Sequence, residues 1–155
     1  LCARHYQPAI EQLEKVEDEN PELALGSWLL AAAYEGNGNS ERAFAWDLRA
    51  LSAEGDNALA DRLSRVKRSN GLMAANQLWL NEALKARRNR SESALTIASL
   101  YAELKNRQQT LAWLEKAVDE GEQMLSQIKY IGKYDFVRDD ERFQVILKRI
   151  GFNET

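Results

Sequence analysis

The sequence has few of the residues that build chemical sites and few of those that break helices. Its 155 residues include one Cys, one His and two Pro. One Cys cannot form a disulfide within the chain or a Cys-x-x-Cys zinc site. One His leaves most metal sites and catalytic triads without their parts. Many Ala, Leu, Glu and Arg residues with so little Pro predict an all-α fold.

Long uncharged runs are scarce as well. The run at residues 23–34 falls short of the roughly 20 residues that span a bilayer. Contact with a membrane is therefore expected only through an upstream segment. A length of 155 residues is enough for one real core, and we predict a single domain over residues 1–155.

Charge is sorted along the chain although the net charge is only −3. Residues 1–61 hold four basic and twelve acidic side chains, a net charge of −8. Residues 62–90, called the basic block below, hold eight basic side chains and one acidic side chain, and residues 91–155 carry a net charge of −2. Such sorting gives a dipolar surface, and it makes the basic block the first place to look for function.

Positions of similar character recur every 33 or 34 residues. They are Ala9, Ala43, Asn76 and Thr110; Val16, Ala50, Ala83 and Ala117; Leu30, Leu63 and Ile97; and Tyr34, Lys67 and Tyr101. Agreement among four registers indicates an internal repeat, and a repeat of this length is typical of a helical solenoid. A bundle with heptads is the competing interpretation.

Each repeat contains two helical patterns and a tight turn. Asn20-Pro21-Glu22 suits a helix start, and Gly36-Asn37-Gly38-Asn39 suits a helix end. Ser40, Ser91 and Asn106 are further candidate caps, and no alternating β-branched run predicts a strand. The predicted helices cover residues 7–19, 22–36, 40–53, 56–69, 72–88, 92–105, 108–120 and 139–150.

The repeat resembles the tetratricopeptide repeat (TPR) family. The residues that carry the resemblance are Leu30-Ala31-Ala32-Ala33-Tyr34, Gly38, Ala43 and Ala50, and then Ile97, Ala98, Tyr101, Leu114 and Ala117. Lys105 and Thr110 stand where the family has Gly and Ala, and Lys67 and Asn76 stand where Tyr and Ala are usual. The resemblance implies a right-handed superhelix of antiparallel helix pairs with a C-terminal capping helix. It implies a partial repeat at residues 1–21, repeats at about 22–55, 56–90 and 91–122, and a cap at 123–155.

The end of the chain has a narrower resemblance. Residues 112–117, 136–143 and 150–152 are similar to the TPR tails of bacterial winged-helix transcriptional regulators, Ser/Thr kinases and nucleotide cyclases. Asp140 stands where that tail has Pro, and Asp is also favourable in a first helical turn. Because Pro8 opens the second helix of a pair, we expect the chain to be the C-terminal piece of a longer protein. Periplasmic and cytoplasmic locations both stay open.

The TPR resemblance also implies where a partner would bind. In that family the inner helix of each pair lines a concave groove. Here this implies Leu25, Trp28, Ala32 and Glu35 from one repeat, Asp61, Arg65 and Arg68 from the next, and Glu92, Leu95, Ser99 and Glu103 from the third. Trp and Arg suit the anchoring of a peptide. We therefore expect Trp28 to supply apolar area and the two Arg side chains to pair with carboxylates of a protein or peptide segment.

Other groups have weaker claims to chemistry. Glu17-Asp18-Glu19 and Asp139-Asp140-Glu141 could hold a cation, but charges at helix ends explain both clusters. Cys2 and His5 could form a nucleophile and a base, but no oxyanion motif lies nearby. The basic block could bind nucleic acid, but few aromatic residues interleave it, which favours a solvated face or protein recognition.

We predict a non-enzymatic protein-interaction module that needs no metal and no cofactor. It would be the sensory or scaffolding C-terminal part of a bacterial transcriptional regulator, and nucleic acid would be reached only through a separate upstream domain. One alternative is a self-association domain, in which the acidic first third of one copy docks on the basic block of another to give a homodimer or a head-to-tail assembly. Another is an accessory C-terminal domain of a bacterial kinase or cyclase.

Overall fold

The computed structural model describes residues 6–20, 24–89 and 91–152. In these ranges the chain is helical and contains no strand, which confirms the all-α prediction. The chain divides into two compact units, Leu1–Leu72 and Met73–Thr155, called the amino unit and the carboxy unit below. The single TPR-like superhelix, and the division into repeats, stay predictions.

Four helices build the amino unit: α1 Tyr6–Glu19, α2 Ala24–Gly36, α3 Ser40–Ala53 and α4 Asn57–Asn70. Helix α2 packs against α1 and α3, and α3 packs against α4. Side chains cap two of these helices, because the Asn39 carbonyl accepts a hydrogen bond from the Arg42 amide at 3.1 Å and Asp56 accepts one from the Leu59 amide at 3.2 Å. The predicted cap Ser40 is thus the first residue of α3, and the predicted start at Pro21 and Glu22 lies outside the described residues.

Helices α1 and α2 approach closely at two glycines. A Cβ atom on Gly26 would lie 2.3 Å from the Oε2 atom of Glu17, and one on Gly36 would lie 2.3 Å from the ring of Tyr6. Glycine inside a helix costs about 1 kcal/mol relative to alanine, so the close contact has a measurable cost in helix propensity. The core among α1, α2 and α3 is mostly apolar and holds Ile10, Leu30, Ala33, Tyr34 and Ala43.

The carboxy unit contains α5 Leu72–Arg88, which begins at the boundary, α6 Ala94–Glu103, α7 Arg107–Asp119 and α8 Glu141–Arg149. Two 3₁₀ helices, Leu125–Lys129 and Gly132–Val137, fill a stretch for which no helix was predicted. Helix α7 packs against α6 and α8, and the second 3₁₀ helix packs against α6 and α7. Ser93, Asn106 and Asp140 cap α6, α7 and α8. The predicted cap Asn106 is confirmed, whereas Ser93 rather than Ser91 caps α6.

The core of the carboxy unit is built around stacked aromatic rings. Tyr134 and Phe143 stack with 6.4 Å between ring centres, and both are almost fully buried. The other buried members of this cluster are Ala98, Ala102, Leu111, Leu114, Ile128, Val137, Ile146 and Leu147. Thr110, one of the positions that recur every 33 or 34 residues, is also buried. Its hydroxyl donates a hydrogen bond to the backbone carbonyl of Asn106 at 2.8 Å.

A positive φ angle recurs at equivalent positions of the predicted repeats. Gly38, Gly71 and Lys105 have φ values of 76°, 89° and 55°, and these positions are 33 and 34 residues apart. Each ends the first helix of a predicted pair. Left-handed backbone is normal for Gly and costly for most other residues, so Lys105 keeps the conformation without the favoured residue.

Candidate functional site

The first acidic cluster contains a buried carboxylate. Glu17 is 1% exposed, its Oε1 atom accepts a hydrogen bond from the Ser27 hydroxyl at 2.7 Å, and Arg49 Nε lies 3.4 Å from the same oxygen. Its Oε2 atom has no hydrogen-bond partner among the described residues and faces Gly26. Glu17 lies in the last turn of α1, as the helix-end interpretation predicts, but its side chain is buried.

The second acidic cluster does mark a helix start, as predicted. Asp140 accepts a hydrogen bond from the Arg142 amide at 3.0 Å and pairs with Arg107 at 2.9 Å. These two hydrogen bonds lower the pKa of Asp140 below its usual value. The described residues contain no group of three or more His, Cys, Asp or Glu that could hold a metal ion, and Cys2 and His5 lie outside them.

Part of the basic block is used inside the protein. Lys67 pairs with Glu41 at 2.5 Å, and its ammonium lies 5.5 Å from the centre of the Phe44 ring. Lys85 pairs with Glu82 on the same helix at 3.0 Å. Lys67, which replaces the family's usual Tyr, therefore joins α4 to α3 as a structural residue.

Three other cations of the block point to solvent. Arg65, Arg68 and Arg88 are exposed, and among the described residues their side chains have no ion-pair or hydrogen-bond partner. Arg65 and Arg68 are three residues apart on α4, so they are neighbours on one helix face. Exposed cations without internal partners are available to pair with a ligand.

The predicted groove residues of the amino unit lie on α2 and α4, which both pack against α3. Leu25 is 57% exposed, and Asp61 is exposed. Trp28 and Glu35 are half-buried, and the indole N–H of Trp28 donates to the Glu54 carboxylate at 2.8 Å. The Trp28 indole N–H is therefore already held by Glu54.

The predicted groove residues of the carboxy unit are all half-buried. Lys133 of the second 3₁₀ helix donates to the Ser99 hydroxyl at 3.0 Å and pairs with Glu103 at 2.5 Å. The second 3₁₀ helix thus contacts the part of α6 that carries Ser99 and Glu103. The contacts of Lys133 could not be predicted from the sequence, because a 3₁₀ helix of six residues is too short to show an amphipathic pattern.

Glu92 and Leu95 lie beside a cavity of about 490 Å³ at the start of α6. There the Glu122 carboxylate accepts hydrogen bonds from the Ala94 amide at 2.6 Å and the Leu95 amide at 3.0 Å. The carboxylate caps two amides that have no partner inside the helix. This cavity is also lined by Arg87, a residue of the basic block.

A larger cleft of about 750 Å³ lies between α5 and α7. It is lined by Leu84, Arg87, Arg88, Trp113, Lys116 and Glu120. Arg87 pairs with the Glu120 carboxylate, and its Nη1 atom donates to the Glu92 carbonyl at 2.8 Å. The sequence predicts Trp113 to be a packing residue. Lys116, three positions after it on α7, is the signal that could have indicated the cleft.

None of the described helices is long and apolar enough to cross a bilayer. Comparison of the chain with protein-family models, with curated proteins and with solved structures gave no match. Membership of the TPR family is therefore a proposal, and it depends on the repeat and on the side chains described above.

Proposed function

We propose that the chain is a non-enzymatic, TPR-like module that binds an acidic segment of another protein through α4. Arg65 and Arg68 pair with carboxylates of that segment, and Leu25 and the ring of Trp28 supply apolar contact. The observation that carries this proposal is the pair of exposed Arg side chains on one face of α4, without a partner among the described residues.

Selective use of the cations on α4 supports the proposal. Lys67 lies between Arg65 and Arg68 in sequence. It forms an ion pair with Glu41 and a cation–π contact with Phe44. Arg presents a planar fork of N–H donors that matches a carboxylate. A helix that holds Lys67 in internal contacts and leaves Arg65 and Arg68 open has the chemistry of a carboxylate-binding surface.

The repeating backbone supports the TPR-like part of the proposal. Positive φ angles recur at Gly38, Gly71 and Lys105, and a turn of three residues joins α2 to α3. Short turns between packed helices give antiparallel pairs. The resemblance of the last third of the chain to the TPR tails of bacterial transcriptional regulators supports the further proposal that the module is a sensory or scaffolding part of such a protein.

Selection from a random peptide library tests this function. We expect the selected peptides to be rich in Asp and Glu around an apolar residue. In calorimetry with one selected peptide, the R65A/R68A variant should bind at least about tenfold more weakly, since hydrogen bonds to charged groups contribute about 1.5–3 kcal/mol each.

The matched control is K15A, which removes an exposed cation of α1 in the same unit and should change affinity less than about twofold. Selection without enrichment of acidic residues, or equal affinity of wild type and R65A/R68A, would rule out binding through α4.

A further inference from the structure

The cleft between α5 and α7 combines unpaired positive charge with an aromatic surface. Among the described residues, neither Arg88 nor Lys116 has a carboxylate partner. Both are exposed, and the Lys116 ammonium lies 4.7 Å from the centre of the Trp113 ring. Leu84 and the Trp113 ring give the cleft its apolar surface.

A carboxylate already occupies the inner part of this cleft. Arg87 donates from one nitrogen to both oxygens of Glu120, and its guanidinium carbon lies 6.0 Å from the centre of the Trp113 ring. The Arg87 side chain is only 16% exposed and is fixed by the Glu92 carbonyl. The protein therefore shows, with its own side chain, that this position accepts a carboxylate.

We infer that this cleft is a second binding site, which takes an acidic peptide segment of a partner protein. The carboxylates of the segment pair with Arg88 and Lys116, and an apolar side chain of the segment covers Leu84 and Trp113. Glu120 competes internally for Arg87, so it weakens the binding of the incoming segment. A volume of about 750 Å³ is within the usual range of ligand sites.

The charges of the cleft favour a peptide over nucleic acid. Two unpaired cations neutralise few phosphates, so they hold a phosphate backbone only weakly. The whole chain carries a net charge of −3 with an isoelectric point near 5.3, which opposes a polyanion at long range. A short acidic segment needs only the two local pairs.

The site is independent of the surface proposed on α4. All residues that line the cleft belong to the carboxy unit, whereas Arg65 and Arg68 belong to the amino unit. One proposal can therefore fail without the other, provided that the measurement reports on the cleft alone. The indole signal of Trp113 supplies such a readout, because each of the four Trp residues gives one indole N–H resonance.

The experiment titrates the full ¹⁵N-labelled chain with a peptide of alternating Glu and Leu and follows the indole resonance of Trp113. We expect saturable shifts that the matching peptide of Gln and Leu does not produce. R88A/K116A should weaken the binding at least about tenfold, and R65A/R68A should leave the Trp113 titration unchanged. Arg88 and Lys116 are exposed, so their truncation should leave the fold intact, and thermal melting checks this.

Substitution of Glu120 gives the most specific test of the cleft. E120Q removes the internal competitor without changing size, so it should tighten binding about threefold to tenfold. D119N makes the same charge change on the same helix at a residue that pairs with Arg149 instead, and it should change affinity less than about twofold.

Three results would overturn the site. The first is equal binding by wild type and R88A/K116A. The second is an E120Q variant that binds no tighter than D119N. The third is a Trp113 response that a single-stranded thymidine oligonucleotide saturates at lower concentration than the acidic peptide, which would assign the cleft to nucleic acid.

Discussion

The two units treat their acidic side chains in opposite ways. The amino unit buries a carboxylate, Glu17, against Ser27 and Gly26. In the described part of the carboxy unit no acidic side chain is buried, and five acids pair with Arg side chains. Those pairs are Glu115 with Arg142, Asp119 with Arg149, Asp140 with Arg107, Asp135 with Arg138, and Glu120 with Arg87. A net charge counted over sequence therefore mixes structural carboxylates with solvated ones.

The difference has consequences for stability. Removing one partner of a buried charge is strongly destabilising, whereas an exposed ion pair contributes about 0–1 kcal/mol. The hydrogen bond from Arg142 lowers the pKa of Glu115, which shows that the surface pair favours the ionised form. The amino unit should respond to changes in its buried contact, and the carboxy unit to changes in its apolar core.

The largest effect should come from giving the carboxy unit a buried charge. Burial raises the pKa of Tyr134 to about 12 from its ordinary value of 10.0, against the opposing effects of Lys133 and Ser99. The pKa of Tyr134 is higher in the folded protein than in the unfolded chain. Its contribution to the free energy of unfolding is therefore complete below pH 10 and is lost as pH rises through about 12. The loss should reach about 3 kcal/mol.

Urea unfolding of wild type and Y134F at a series of pH values measures this loss. The phenol is absent from Y134F, so the difference between the two proteins should grow above pH 10 in the direction of a weaker wild type. Parallel pH profiles of the two proteins would contradict the claim that burial disfavours ionisation of the Tyr134 hydroxyl.

The next effect tests the buried carboxylate of the amino unit. G26A places a methyl group against Glu17 Oε2, at 2.3 Å before relaxation, and should cost about 1–3 kcal/mol in the free energy of unfolding. In an E17A background the oxygen is gone, so the same G26A change should stabilise by up to about 1 kcal/mol through helix propensity. Denaturant unfolding of the four proteins gives the coupling. The same sign in both backgrounds would contradict the close contact.

A smaller effect on the free energy of unfolding is expected at one turn in each unit. Gly38 and Lys105 both have positive φ, so K105G should stabilise by up to about 1 kcal/mol and G38A should destabilise by a similar amount. The Lys105 ammonium also lies 5.1 Å from the centre of the Phe136 ring, so K105A serves as the control that removes only the side-chain contact. A K105G variant no more stable than K105A would mean that the backbone at this turn is not strained.

Local sequence signals predicted much of this fold. The helices, the cap Asn106, the helix start at Asp139-Asp140-Glu141 and the period of 33 or 34 residues follow from propensity, capping chemistry and repetition, which act over a few residues or recur in register. The two 3₁₀ helices were not predicted, because such short elements depend on the core that they cover.

The candidate sites were less predictable, because they depend on which residues meet across helices. Glu17 is buried only because Gly26 and Ser27 face it from α2. Arg87 lies in a basic run, but its pairing with Glu120 across 33 residues has no local signal. The sequence shows which part of the chain is basic. The structure distinguishes the cations that pair inside the fold from those that are exposed without a partner among the described residues.

That distinction is tested most directly by calorimetric titration of one selected acidic peptide into wild type, R65A/R68A and K67A, with thermal melting of each protein. Because Lys67 is held by Glu41 and Phe44, K67A should lower the melting temperature and leave affinity within about twofold of wild type. R65A/R68A should keep the melting temperature and lose at least about tenfold in affinity. Equal loss of affinity in K67A and R65A/R68A, or no loss in either, would contradict a binding surface made by the two open Arg side chains of α4.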